Sequence, residues 1–245
     1  FSFFLSLCIT SLYAQKRGDQ LLHMPRTIKI APFQTLKVYS GIVLNLIPSD
    51  ENKIVIYGDP YSGVLSKHSG TTLKLKIRSR ELVPYHQPFI DLYYTEQLNA
   101  LRLHQGAVVE ALRPLEAENL TITAHEGSTF SGEINASHLL TKVHTGSDVT
   151  LYGRVKTHYL NVNTGGYCKA EELLTERSWV KAFAGGNGSV YSDDTVHAKV
   201  LFGGTISLYG KPEQLIASRY FGGYISDENG LRLKENKRRS SRSFR

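Results

Sequence analysis

The chain has 245 residues, 41% of them hydrophobic and 10% aromatic, which is ample for a real core; one elongated domain or two small ones fit the length. Tyr 14 and Gly 21 against Trp 1 and Met 1 favour strands and turns over helices. The formal charge of +7 does not make this a nucleic-acid binder, because the terminal "KENKRRSSRSFR" alone carries a net +5 and leaves about +2 for the body.

The opening "FSFFLSLCITSLYAQ" is an uncharged apolar run ending in Leu12-Tyr13-Ala14. It reads as the remnant of a secretory signal peptide, residues 1–14, cut before Gln15. At about 13 residues it is too short to span a bilayer. Cys8 follows Leu7, where an acylation site wants Gly or Ala. No other stretch reaches transmembrane length, so the mature protein is expected to be exported, to the periplasm, the outer membrane surface or the medium. Cys168 is then its single cysteine, and no internal disulfide is possible.

Residues 15–97 hold runs that alternate cleanly, among them "TIKIAPFQTLKVYSGIVLNLI", "NKIVIYG", "TTLKLKIRS" and "PFIDLYY". This part is expected to form a first coil around Gly41 and mostly antiparallel strands that cover the end of a solenoid.

From residue 98 to 232 the sequence repeats. Gly106, Gly127, Gly146, Gly165, Gly185, Gly203 and Gly222 are spaced 18–21 residues apart, the mark of a solenoid. Three and five residues before each glycine stand mostly apolar residues, such as Leu103 and Leu101 or Val162 and Leu160. That is strand periodicity. Three residues after it come Val109, Phe130, Val149, Cys168, Ile206 and Ile225, so Cys168 is expected to be a buried apolar filler. The fifth repeat slips, because "GGNGSV" delays its apolar residue to Val190; an added residue at that bend would explain it. Each repeat is then one coil of an all-β, parallel β-helix of about seven coils, roughly 30 Å long. Residues 233–245 read as a basic, disordered tail.

The stretch "FQTLKVYSGIVLNLIPSDENKIVIYGD", the "DLYYTEQLNALRLHQGA" crossover and the serial "TGS", "TGG" and "FGG" repeats ending in "ISLYGKP" resemble a known family, the putative auto-transporter adhesin, head GIN domain proteins. The resemblance covers about residues 28 to 212. It implies an exported β-helical protein of Gram-negative bacteria with no catalytic residues, no cofactor and no agreed biochemical activity.

A search for chemistry finds no nucleotide loop, no His-Glu-x-x-His and no cysteine pair for zinc, so no catalytic residue, metal or cofactor is assigned. Asp193 and Asp194 are adjacent and point to opposite faces of a strand, which suits a solvated loop better than a catalytic dyad. The outward positions are more informative. Two before the glycine stand His104, His125 and His144, and four before it stand Arg102, Lys142, Lys181 and Lys199. Coils in register would stack three imidazoles beside a basic stripe, the candidate ligand-binding surface. Phe183, Phe202 and Phe221 then turn the same region aromatic, which suggests cover by the C-terminal segment or by another protomer. The sequence supports two readings. The first is a non-catalytic envelope or surface module that binds glycan, protein or itself; the alternative is a β-helix enzyme or binding protein acting on acidic polysaccharide.

Overall fold

The computed structural model describes residues 25–57, 63–78 and 88–228, and the described residues are all strand, turn and bend. The stretches expected to be a signal remnant (1–14) and a basic tail (233–245) lie outside them. No helix among them is long and apolar enough to cross a membrane.

The repeats wind into a β-solenoid whose coils are tight turns joined by bent strands. After β8 (Ala100–Leu103), β9 (Val108–Ala111) and β10 (Leu115–Ala124) come three long strands, β11 (Thr129–Val143), β12 (Asp148–Asn163) and β13 (Tyr167–Phe183). Each long strand begins after one turn and runs into the next. Shorter strands finish the series: β14 (Asn187–Tyr191), β15 (Thr195–Leu201), β16 (Thr205–Tyr209), β17 (Gln214–Tyr220) and β18 (Tyr224–Asp227). All pair in parallel with the coils before and after. Two sheets result. The first takes the segments before each turn and the second those after it. The register pairs Leu103 with Ala124, then Val143, Val162, Ala182 and Val200, and all six are buried.

The turns have a common geometry. The residue before each glycine has positive φ, from Gln105 at 56° to Phe221 at 55°, and the glycine follows at 66–87°. Two successive left-handed residues closed by a bond from the fourth N–H to the first C=O make a type I′ turn, as Ala107 to His104 does at 3.3 Å. The turns also bond along the axis, since Gly106 N–H donates to Glu126 C=O at 2.9 Å and Gly127 N–H to Thr145 C=O at 3.1 Å.

The N-terminal end differs from a plain cover. β2 (Thr35–Val38) and β3 (Val43–Pro48) flank the Gly41 turn, and both pair in parallel with β8 and β9. On their other side lie β6 (Thr72–Ile77) and β7 (Phe89–Tyr94), also parallel. The first coil in sequence is thus the second in space. Outside that rung the pairing turns antiparallel, with β5 (Val64–Ser69) on β6, β4 (Lys53–Tyr57) on β7 and β1 (Arg26–Lys29) on β4. Asp91 ties this end together, accepting bonds from Asn45 Nδ2 at 2.8 Å and Tyr57 hydroxyl at 3.0 Å.

The slip in the fifth repeat has another cause than an added residue at the bend. Cys168 pairs with Gly188 in unbroken register, so Gly188 fills the inward place and the side chains of Leu160 and Val162 fill the space above it. The extra residue lies one strand earlier, where register shifts between Thr150 and Tyr152 on β12 and the bulge falls at Ala170–Glu171. Cys168 is fully buried, and burial, helped by Asp148 and Glu171, pushes its thiol well above the usual range. It is packing, not a nucleophile.

Candidate functional site

The outer face of the first sheet is built from three columns, two, four and six residues before each glycine. Strand alternation points all three away from the core, and parallel register aligns like positions from rung to rung at about 4.8 Å.

The column nearest the turns brings the three histidines together. His104 and His125 stack at 5.2 Å with planes 2° apart, and His125 and His144 at 4.5 Å and 7°. Tyr39 extends the stack at 4.8 Å from His104, with Lys74 Nζ 4.4 Å from its ring centre. At the other end Asn163 Nδ2 bonds His144 Nδ1 at 3.1 Å. Burial lowers the pKa of His104 and His144 below the ordinary value, and the neighbouring His125 lowers both further. Lys142 adds to this at His144, and Glu126 opposes it at His104. Rings stacked this way share faces and do not converge on one point, and no group of three metal-ligating side chains forms among the described residues.

The middle column is basic. Register carries it from Lys74 to Lys37, Arg102, Thr123, Lys142, Asn161, Lys181, Lys199 and Ser218. The sequence-predicted Arg102, Lys142, Lys181 and Lys199 therefore share one line, but not one contact. Thr123 and Asn161 interrupt it, so Lys181 and Lys199 form a pair remote from the histidines.

Sequence reasoning missed Lys37 and Lys74, which continue the column through the Gly41 rung, and it missed the third column. Six residues before the glycine, Tyr159 stacks on Trp179 at 5.0 Å and Trp179 on His197 at 5.4 Å. Counting one more alternate position in the same alignment would have found them. Beside them lies a cleft of about 290 Å³, with Lys181 and Lys199 in its lining. Among the described residues the three columns hold no Asp or Glu. The second sheet carries Glu110, Asp148 and, on one column through Tyr152, Glu133 and Glu172. Burial raises the Asp148 pKa, with Lys169 opposing it.

The third predicted feature is an aromatic ridge. Phe183 meets Phe202 edge-on at 5.6 Å, and Phe202 stacks on Phe221 at 4.9 Å. Phe202 is 54% exposed and Phe221 77%. Both hold φ of 55°, a conformation costly for a bulky residue, where other turns place Ser40, Thr145 or Ala184. Asp193 and Asp194 lie in a bend, where Asp194 accepts from Thr195 hydroxyl at 3.1 Å and lies 3.9 Å from Arg177.

The family model described as "Putative auto-transporter adhesin, head GIN domain" matches residues 32–212. A crystal structure of a putative adhesin from Bacteroides fragilis NCTC 9343 aligns with TM-score 0.76 and 18% identity, covering 83% of this chain and 96% of that one. A putative adhesin from Parabacteroides merdae ATCC 43184 aligns at 0.63 and 14%, covering 83% and 95%. A putative lipid binding protein from Parabacteroides distasonis ATCC 8503 aligns at 0.59 and 17%, covering 83% and 96%. At these identities the likeness is one of fold. No curated protein matches.

Proposed function

The chain belongs to the putative auto-transporter adhesin, head GIN domain family, and from that membership we propose that it is a non-catalytic, exported binding module of the cell envelope. Its ligand is an anionic glycan, held on the outer face of the first sheet. The observation that carries this reading is the basic column. Like charges on neighbouring rungs repel, and among the described residues nothing acidic in the three columns offsets them. A polyanion laid on the face would. The enzyme alternative needs acids and bases converging across a bond, and the adjacent carboxylates Asp193 and Asp194 sit in a bend.

The test is a glycan array run beside a lyase and hydrolase panel. Acidic glycans should be retained, more weakly as salt rises. At about 0.5 kcal/mol per exposed pair, reversing Lys37, Arg102, Lys142, Lys181 and Lys199 to Glu should weaken retention by more than about tenfold. Reversing Lys169 on the other sheet should not. Retention indifferent to the five reversals, or products released in the panel, would sink the reading.

The exposed, strained phenylalanines support a second contact, self-association through Phe183, Phe202 and Phe221. Phe221→Asn should raise stability by up to about 1 kcal/mol, because Asn tolerates the left-handed region. It should also shift sedimentation toward monomer. A variant that gains stability but still sediments as the parent does would exclude the ridge as the contact.

A further inference from the structure

We propose that the C-terminal half of the first sheet's outer face is a groove along the solenoid axis that takes a short, extended run of an acidic, uronate-bearing glycan. This rests on the glycan reading above and assigns it a place, a length and a chemistry.

The columns supply the shape. One wall is the stack of Tyr159, Trp179 and His197, continued on the next rung by Ile216. The other is Phe183, Leu201 and Tyr220, which register places on successive rungs. Between them runs the middle column, where Lys181 and Lys199 are exposed and flanked by the shorter Asn161 and Ser218. Only this half of the face has tall rings on both sides of its cations. At the N-terminal half the column six before the glycine holds Thr35, Ala100 and Thr121, which leave Lys37 and Arg102 without a wall on that side.

The stacking sets the chemistry. Trp179 is packed face to face with Tyr159 at 5.0 Å and His197 at 5.4 Å, so this largest ring offers a ligand its edge. A neutral sugar that docks its apolar side on an open ring face does not find one at Trp179. Ring edges are the positive side of the aromatic quadrupole. They also carry the phenol hydroxyl, indole N–H and imidazole nitrogens. Edge-on donors beside two ammonium groups suit carboxylates and hydroxyls together. Lys199 lies 5.4 Å from the centre of the Tyr220 ring, which holds its ammonium toward the second wall. From Asn161 to Ser218 the groove spans three rung steps, about 14 Å, the reach of a short oligosaccharide.

Trp179 is the single tryptophan of the chain, so its emission reports on the groove alone. The experiment titrates the whole protein with polygalacturonate oligosaccharides of increasing length, following tryptophan emission and, separately, calorimetric binding. Emission should change on binding, and affinity should rise with length and level off once about 14 Å is filled. Lys181→Gln with Lys199→Gln should weaken binding at least about tenfold, about 1.4 kcal/mol, and Lys37→Gln with Arg102→Gln and Lys142→Gln much less. Both sets are exposed or half-exposed, and a melting curve confirms that each variant folds. Calorimetric binding with silent emission, or with the greater loss in the Lys37 set, overturns the groove and leaves the face reading standing. Affinity that keeps rising with length also overturns it, since that is a ligand spread along the whole column. No binding of any acidic oligosaccharide by the parent protein overturns both.

Discussion

Gly186→Ala should cost the protein a large share of its stability, while Gly185→Ala, its neighbour, should be tolerated. A Cβ at Gly186 would stand 2.2 Å from Val162 carbonyl oxygen and 2.5 Å from its carbon, both backbone atoms of the preceding rung. No rotamer change relieves that, so the rungs must separate and their ladder bonds lengthen. We expect a loss of at least about 3 kcal/mol, a large share of the usual total stability. At Gly185 the backbone is left-handed, with φ of 78°, but a Cβ would meet nothing within 4 Å. The cost there is the conformational one alone, about 1 kcal/mol. Urea midpoints at unchanged slope measure both. Equal losses would mean that the turn conformation, and not the approach of the rungs, selects the paired glycines. The contrast also explains a drift along the chain. After the turn glycine come Ala107, Ser128 and Ser147, each buried, and then Gly166, Gly186, Gly204 and Gly223, where a Cβ would meet an atom at 2.2–2.8 Å.

Spacing made the repeat legible because register in a parallel solenoid is a local matter. One period of residues returns the chain to the same place, so aligning glycines aligns rungs. That is why Cys168 among Val, Ile and Phe is buried, and why His104, His125 and His144 stack. Two things escaped for the same reason. The order of the first rungs, with β2 and β3 inserted between β6–β7 and β8–β9, depends on contacts far apart in sequence. The bulge at Ala170–Glu171 likewise shows only in how β13 pairs with β12; it lengthens the interval before Gly185, whereas an insertion at the bend would lengthen the one after it. The groove was half-legible. Lys181 and Lys199 stand four before their glycines, whereas Tyr159, Trp179 and His197 stand six before, one alternate position beyond those counted.

Acid should destabilise this protein below neutral pH, and one buried imidazole should account for much of it. His158 occupies an inward column of otherwise apolar or small residues, between Leu139 and Ser178 with Val196 beyond. It is fully buried, its Nε2 shares a 3.0 Å bond with Thr141 hydroxyl, and its Nδ1 has no partner among the described residues. Burial pushes its pKa down to about 3, against 6.5 in the open chain. The unfolded chain therefore binds a proton that the native state refuses. Stability is fully present above the unfolded value and is lost as pH falls from there toward the folded one. At pH 5 that loss is about 2 kcal/mol. His104 and His144, also lowered, act in the same direction. His158→Leu alone would leave the buried Thr141 hydroxyl without its partner, at about 1–3 kcal/mol. With Thr141→Val added, that hydroxyl is removed together with the imidazole it bonds. The double variant should match the parent or exceed it at pH 7 and should lose markedly less than the parent between pH 7 and 5. Thermal melts of the two proteins across that range decide the matter. Parallel curves would show that His158 stays neutral in the unfolded chain or is charged in the folded one, and the acid sensitivity would then belong to the stacked histidines of the outer face.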